Sequence, residues 1–235
     1  MMIRGNSFTG SGATRRNEDS ENKKKSVTRV QSPTCVIDSL NILFTNADSL
    51  VNKRIELESR IHQNKSKPDI IGIVEANPKN CKYGLSSSEF SVEGYDVHHN
   101  NITDSNKRGI VLYTAVWLRA SPYLPEVAAD ESVWITIKLS GNDKLLVGCV
   151  YRSPSSDMSN DDAIHTQIKT SSSNTEFTHL LIMGDFNYPN IKWDSYSISS
   201  ESGSGHKFLN TVKNVIYISM CSYQPEHDKV KNLVL

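Results

Sequence analysis

The sequence predicts an α+β fold with a core large enough for one folded domain. Residues 70–74 (Ile-Ile-Gly-Ile-Val) form a continuous apolar run, which is typical of a strand covered on both faces in the middle of a layered structure. Residues 180–183 form a second such run, and other segments carry apolar side chains at helical spacing. A chain of 235 residues, 37% of them apolar, can bury one substantial core.

The first half of the domain is predicted to combine strands with one helix. The first strand delivers Asn46-Ala47-Asp48 to its end, and the strand at 70–74 ends at Glu75. The apolar positions assigned to one side of the helix are Leu50, Ile55, Leu57 and Ile61. The predicted elements are strands at 40–45, 70–74, 95–97 and 110–113 and a helix at 49–63.

The second half is predicted to begin with two adjacent strands joined by a tight turn at 140–143 (Ser-Gly-Asn-Asp). The later strand at 180–183 carries Gly184-Asp185-Phe186-Asn187 at its exit. The predicted elements are strands at 133–137, 145–151 and 180–183, helices at 161–169 and 207–214, and the start of a last strand at 233–235.

Residues 1–35 are predicted to be a disordered basic leader that precedes a folded domain at 36–235. The leader holds seven Lys/Arg against three Asp/Glu, whereas the whole chain has no net charge. A solvated tail is the favoured interpretation, and contact with nucleic acid or nuclear import through Lys23-Lys24-Lys25 is the alternative.

Composition also excludes several classes of protein. No apolar run approaches the ~18 residues of a membrane span, and the N-terminus becomes polar at once, so we expect an intracellular protein, nuclear or cytoplasmic, with no membrane partner. The four cysteines lie far apart without a CxxC pair, which argues for reduced thiols over a zinc site or disulfides.

Polar residues stand at the ends of four predicted strands. Strand ends on one rim of a sandwich can converge on a single pocket. A hard divalent cation prefers oxygen ligands, and it can neutralise a phosphodiester and assist the leaving alkoxide. The candidates are Asn46 and Asp48, Glu75, Tyr151 and Arg152, and Asp185 and Asn187.

Asp185 and Asn187 are the most informative pair. At positions i and i+2 of extended chain they project to the same side, so a carboxylate that activates water and an amide that holds a phosphate oxygen reach one point. Phe186 is predicted to anchor the segment in the core, and Gly184 to let the chain turn closely past the site. A Gly-Asp turn that only ends a strand explains the same residues.

The other candidates have structural alternatives as well. Glu75 is equally a strand-end acid that reaches solvent, and Asp48 shares this ambiguity. Tyr151 and Arg152 can clamp a phosphate, although a buried tyrosine beside a solvated arginine is the commoner arrangement.

Taken together, these motifs resemble the signature of the endonuclease/exonuclease/phosphatase (DNase I-like) superfamily. The added Asn46-Ala47-x-Ser49-Leu50 start and Trp193 make the chain most similar to the endonuclease domain that precedes reverse transcriptase in non-LTR (LINE-type) retrotransposons. The resemblance covers roughly residues 38–235. The motifs, in order, are Asn46, Glu75, Tyr151-Arg152-Ser153-Pro154 and Gly184-Asp185-Phe186-Asn187.

The resemblance implies a four-layer sandwich of two facing sheets flanked by helices. It also implies hydrolysis of phosphodiesters in DNA with Mg²⁺ or Mn²⁺, no small-molecule cofactor, and a reverse transcriptase domain encoded downstream. By this resemblance, the metal ligands are Asn46, Glu75 and Asp48. The catalytic residues are Asp185, Asn187 and Tyr151, and the phosphate-binding residues are Arg152 and Asn187.

The sequence departs from the family pattern in three places. Asn232 stands where the family has an aspartate in its Leu-Asp-Leu-Val-Leu strand, and no Ser-Asp-His follows. His227-Asp228 precedes that strand in reversed order and is interpreted as a loop pair. The glycine-rich stretch before Ile110 is reduced to Lys107-Arg108-Gly109. We therefore expect the last strands to be missing and DNA nicking to be impaired, since loss of a transition-state donor costs roughly 10²-fold or more.

Two rival functions remain open at this point. The first is a non-catalytic remnant that binds nucleic acid through residual phosphate contacts and the basic leader. The second is a family member that acts on another phosphoester, such as a phosphoinositide, a sphingolipid or a nucleotide. The Tyr151-Arg152-Ser153-Pro154 motif argues against the second, because it belongs to the retrotransposon type.

Overall fold

Two mixed β-sheets stack face to face and form the centre of the structure. The structure is a computed structural model, and it describes residues 37, 39–63, 66–79, 83–199, 202–215 and 233–234. The leader at 1–35, the His227-Asp228 pair and Asn232 lie outside these residues. The strands are β1 (Ile42–Asn46), β2 (Ile70–Val74), β3 (Tyr95–Asn100), β4 (Ile110–Ala115), β5 (Ser121–Tyr123), β6 (Ser132–Lys138), β7 (Lys144–Tyr151), β8 (His179–Asp185), β9 (Ile191–Lys192), β10 (Ser197–Ile198) and β11 (Leu233–Val234). The α-helices are α1 (Leu50–Gln63), α2 (Met158–Ser173) and α3 (Ser204–Val215).

The first sheet has the strand order β1-β2-β4-β3. Strands β1 and β2 are parallel, and Asn46 pairs with Val74 at their carboxyl ends. The residues that follow these strands therefore emerge side by side on one rim. Every residue of β2 is buried, which confirms the prediction of a strand covered on both faces.

The second sheet has the order β11-β8-β7-β6-β5. Strands β7 and β8 are parallel, and Tyr151 pairs with Asp185 at their carboxyl ends. The antiparallel β6–β7 hairpin is confirmed. In its turn, Asp143 N donates to Ser140 O at 3.2 Å and Gly141 takes a positive φ of 65°. The start of a last strand is also confirmed, because β11 pairs antiparallel with β8.

Three apolar clusters define four layers. One cluster lies between the two sheets and includes Phe44, Leu112, Val147 and Met183. A second lies between the first sheet and α1, and a third between the second sheet and helices α2 and α3. The predicted sandwich of two facing sheets flanked by helices is therefore correct.

Helix α1 corrects one part of the predicted pattern. Leu50, Leu57 and Ile61 are buried against the first sheet, but Ile55 is 84% exposed. Ile55 follows Leu50 by five residues, which turns its side chain roughly 140° away from the buried stripe. The assignment of Ile55 to the apolar side is wrong.

Gly184 also acts differently from the prediction. A Cβ atom at Gly184 would lie 2.2 Å from the carbonyl oxygen of Val150, so glycine allows β7 and β8 to approach closely. The backbone continues as strand to Asp185 and does not turn at the glycine. Phe186 packs in the core against Phe208, with ring centroids 4.7 Å apart, as predicted.

Sequence patterning also missed or shortened several elements. Helix α2 begins at Met158, three residues before the predicted start, because the Asp157 carboxylate caps it by accepting from Asn160 N at 2.8 Å. The short strands β5, β9 and β10 were not predicted. No helix among the described residues is long and apolar enough to cross a membrane.

Candidate active site

Four strand ends bring Asn46, Glu75, Tyr151 and Asp185 together. The Asn46 amide (Nδ2) donates to Asp185 Oδ2 at 3.2 Å, and the Tyr151 hydroxyl donates to Glu75 Oε1 at 3.0 Å. Asn46 and Glu75 belong to the first sheet, whereas Tyr151 and Asp185 belong to the second. Each hydrogen bond therefore joins the rims of the two sheets at one site.

The backbone around Glu75 takes a conformation that few non-glycine residues adopt. The φ angle is 54° at Glu75 and 43° at Asp48, both in the left-handed region. The two segments are held to each other because Ser49 N donates to Glu75 O at 2.9 Å and Leu50 N to Ala76 O at 2.8 Å. Backbone hydrogen bonds thus fix the two carboxylate-bearing strand ends as one unit.

A guanidinium that the sequence did not indicate lies between the two carboxylates. Nη2 of Arg108 is 2.6 Å from Asp48 Oδ1 and 2.5 Å from Glu75 Oε2. The hydrogen bond from Arg108 lowers the pKa of Asp48, against the opposing effect of burial and with help from Lys79 at 3.8 Å. Arg108 therefore favours the charged form of Asp48 and pairs with Glu75 through the same nitrogen atom.

The loop that carries Arg108 is firmly anchored. The carboxylate of Glu131 is buried and accepts from Gly109 N at 2.6 Å. The carbonyl of Arg108 accepts from Asn77 N at 2.7 Å, and the Asn77 side chain donates to Lys107 O at 3.0 Å. Gly109 takes a positive φ of 69°, and a Cβ there would press on the Asn77 amide. The loop is therefore set in place by side chains on both sides.

The donor chemistry of this corner fits a divalent cation. Asn46, Asp48 and Glu75 supply an amide oxygen and two carboxylates, which are the hard oxygen donors that Mg²⁺ prefers. The Arg108 guanidinium already bridges the two carboxylates, so a positive charge is accommodated there. The described residues hold no cluster of three or more His, Cys, Asp or Glu side chains arranged for a metal, so the fit here depends on two carboxylates and an amide.

Burial perturbs the two residues that the second sheet contributes. Burial raises the pKa of Asp185, the negative charge of Glu75 raises it further, and hydrogen bonds from Asn46 and Asn187 oppose the rise. Burial and the neighbouring Glu75 also raise the pKa of Tyr151. Tyr151 is therefore a protonated donor at neutral pH, and Asp185 is a stronger base than an ordinary aspartate.

Arg152 is engaged inside the protein. Its guanidinium makes two hydrogen bonds to Asp161, at 2.6 and 3.0 Å, and lies 4.2 Å from the centre of the Tyr188 ring. Burial acts to lower the pKa of Arg152, but the hydrogen bond to Asp161 and the interactions with Tyr188 and the Asp161 charge together outweigh burial, and the pKa rises. The alternative of a solvated arginine is wrong, since Arg152 is 8% exposed. These contacts favour a structural role over the predicted phosphate binding.

Asn187 is tied to Arg152 rather than set beside Asp185 on extended chain. Its φ is 47°, its Nδ2 donates to Arg152 O at 2.8 Å, and its carbonyl accepts from Arg152 Nη1 at 3.0 Å. The i, i+2 geometry predicted for Asp185 and Asn187 is therefore replaced by a left-handed turn. Asn187 still hydrogen-bonds to Asp185, and it links the ends of β7 and β8.

The structure thus connects all the predicted site residues, but in two groups. In the first group Asn46 bonds to Asp185 and Tyr151 bonds to Glu75, and Arg108 joins Asp48 to Glu75. Arg152 and Asn187 form the second group, and their hydrogen bonds to each other join the ends of β7 and β8. The sequence did not reveal the roles of Arg108 and Glu131. Their signals were the basic residue within a shortened glycine stretch and an acid placed just before β6.

Comparison with known proteins finds a family model that matches part of the chain. Residues 145–231 match the family model described as "Endonuclease-reverse transcriptase". That segment contains Tyr151, Asp185 and Asn187, on the strands whose ends form the site. The match lies in the second half of the chain. No curated protein matches the sequence.

Solved structures show the same DNase I-like fold at low sequence identity. The endonuclease domain of TRAS1, a telomere-specific non-LTR retrotransposon, matches with a TM-score of 0.51 and 14% identity over 75% of this chain and 71% of that one. The AP endonuclease LMAP from Leishmania major matches with a TM-score of 0.53 and 15% identity over 74% of this chain and 66% of that one.

Proposed function

We propose that this domain hydrolyses phosphodiester bonds in DNA with the help of a divalent cation. The observation that carries the proposal is the connected set of four strand ends, in which Asn46 bonds to Asp185 and Tyr151 bonds to Glu75 across the two sheets. A carboxylate of raised pKa, a protonated phenol and oxygen donors for a cation then face one point. Those are the groups that attack on a phosphodiester requires.

Asp185 is proposed to accept the proton of the attacking water. Its raised pKa suits this role, because a base is most effective when its pKa approaches the working pH. Asn46 donates to the carboxylate and so orients one of its oxygens. Tyr151 is proposed to donate its hydroxyl to a phosphate oxygen, exchanging its present bond to Glu75 for one to substrate.

Mg²⁺ or Mn²⁺ is proposed to be held by Glu75, Asn46 and Asp48. When bound, the cation supplies positive charge for the phosphate oxygens and for the leaving alkoxide. Asn187 is proposed as the residue that positions the phosphate next to Asp185. Arg152 is proposed to act on phosphate only indirectly, since its contacts keep Asn187 and the end of β7 in place.

A retrotransposon origin is proposed from two findings. The matching family model is described as an endonuclease–reverse transcriptase, and the TRAS1 endonuclease domain shares the fold. The Tyr151-Arg152-Ser153-Pro154 motif supports the same origin. Nuclear or cytoplasmic DNA is the partner that this origin implies. A reverse transcriptase reading frame downstream of the coding sequence would support the assignment.

Nicking of supercoiled plasmid DNA tests the proposed reaction. We expect slow conversion to the open circle in the presence of Mg²⁺ or Mn²⁺, in keeping with the impaired nicking expected from the sequence. We expect no conversion in EDTA, and a loss of about 10²-fold or more in rate for Asp185→Asn. Asp143→Asn, in the surface turn between β6 and β7, is the matched control. DNA binding without nicking in any divalent metal would contradict the proposal and favour a nucleic-acid-binding remnant.

A further inference from the structure

We propose that Arg108 is a built-in cation that competes with the divalent metal for Asp48 and Glu75. The inference rests on the proposed function, because it concerns the same metal-binding corner. It follows from the place of Arg108 in the Lys107-Arg108-Gly109 loop, directly before β4. Metal loading then requires the Arg108 guanidinium to leave the two carboxylates.

The first reason is the position of a single nitrogen atom. Nη2 of Arg108 lies 2.6 Å from Asp48 Oδ1 and 2.5 Å from Glu75 Oε2. Mg²⁺ and Ca²⁺ bind oxygen ligands at roughly 2.0–2.6 Å. A cation that used the same two oxygens would need the place of Nη2, so the guanidinium and the metal exclude each other there.

The second reason is charge. Arg108 neutralises one of the two negative charges on Asp48 and Glu75, so the pair offers less attraction to an incoming cation while Arg108 stays. The Arg108 side chain is 16% exposed and that of Glu75 is 14% exposed. Water screens a contact this sheltered less than it screens a surface ion pair, so the competition is strong.

The third reason is that contacts of the loop backbone fix the position of Arg108 next to the site. Glu131 and Asn77 fix the main chain on either side of the arginine, as the contacts of Gly109 N and Arg108 O show. Lys107 adds a surface ion pair to Asp130 at 2.6 Å. An arginine on a free loop would sample many positions, whereas this one is directed at the carboxylates.

The guanidinium can nevertheless be released. Nε of Arg108 is buried and finds no hydrogen-bond partner within the described part of the chain. The ion pairs of Arg108 with Asp48 and Glu75 both use Nη2. The Arg108 side chain is therefore held mainly by its ion pairs with the two carboxylates. A cation that binds those carboxylates breaks the ion pairs and releases the side chain.

Mn²⁺ binding, followed by electron paramagnetic resonance of the free ion, tests the competition without relying on activity. We expect Arg108→Ala and Arg108→Gln to bind Mn²⁺ about ten- to a hundredfold more tightly than the native chain, because they remove a competing positive charge that lies within a few ångströms of the metal ligands. Adding Glu75→Gln to Arg108→Ala should abolish the gain. The metal-free unfolding temperature of Arg108→Ala should fall, and Mn²⁺ should raise it more than it raises that of the native chain.

Arg60→Ala is the matched control. Arg60 pairs with Glu56 at the same 2.6 Å, but on the exposed surface of α1, so its loss should leave Mn²⁺ affinity unchanged. Equal Mn²⁺ affinity in the native chain and both folded Arg108 variants would overturn the competition while leaving the proposed metal site intact. Absence of Mn²⁺ binding in every variant, including Arg108→Ala, would overturn both the competition and the metal-dependent function.

Discussion

The raised pKa of Asp185 has a cost in folding free energy. Its carboxylate is half-buried at the end of β8, next to the negative charge of Glu75, and its pKa is raised mainly because burial disfavours the charged form. The folded state therefore binds the Asp185 proton more tightly than the unfolded chain does. At neutral pH the ionised side chain costs folding free energy that an uncharged side chain would not.

Replacing Asp185 with asparagine should stabilise the protein in a pH-dependent way. Because the folded pKa is raised, the native carboxyl group favours folding most below the unfolded pKa of aspartate, and this contribution is lost as pH rises through the folded pKa. The unfolding temperature of Asp185→Asn minus that of the native chain should thus grow as pH rises from about 4 and then level off. Thermal unfolding in EDTA measures it.

The control for this measurement is Asp143→Asn, which removes one negative charge from a surface turn. A difference for Asp185→Asn that shrinks as pH rises would show that Asp185 is stabilised as the anion, and the raised pKa would be wrong. That result would also weaken Asp185 as the proposed base.

The sequence could predict which residues lie together at the strand ends, but not all of their partners. Asn46, Glu75, Tyr151 and Asp185 follow recognisable apolar strands, so their shared rim was predictable from patterning. Arg108 was not, because its contact with Asp48 spans 60 residues and depends on where a loop crosses the rim. The solvated Arg152 alternative failed for a related reason, since its partner Asp161 lies on the next helix.

Element boundaries followed the strength of the local signal. Strands β2, β7 and β8 carry long apolar runs that few other structures tolerate, and each was predicted. Strands β9 and β10 are two residues each and exist because they pair with each other and pack near α3. No local pattern identifies a strand of that length, so its existence is a property of the packed molecule.

Helix α1 offers a test of which face carries its stability. Leu57 is 5% exposed and packs in the cluster beneath the first sheet, so Leu57→Ala should cost about 2–5 kcal/mol of unfolding free energy. Ile55 sits two residues earlier on the solvent face, and Ile55→Ala should change stability by less than about 0.5 kcal/mol. Urea unfolding of both variants measures the contrast, and similar losses at the two positions would contradict the observed orientation of α1.

At the scale of the whole molecule, the site exists only where the two sheets meet. Each sheet contains one parallel pair, β1–β2 and β7–β8, and a parallel pair places two strand ends at the same edge. The cluster between the sheets brings these two edges together, and the bonds from Asn46 to Asp185 and from Tyr151 to Glu75 cross the junction. Neither sheet alone supplies both Asp185, the proposed base, and the proposed cation ligands Asn46, Asp48 and Glu75.

Substitutions in each sheet test whether Glu75 and Asp185 act together. Glu75→Gln alters the contribution of the first sheet and Asp185→Asn that of the second. If the two act as one catalytic unit, each should slow plasmid nicking by about 10²–10³-fold, and the double variant should be little slower than either single one. Single-turnover nicking rates in Mg²⁺ measure this, with the fold of each variant checked by circular dichroism. If the two losses multiply in the double variant, Glu75 and Asp185 act independently. The hydrogen bonds between the two sheets would then have a structural role only.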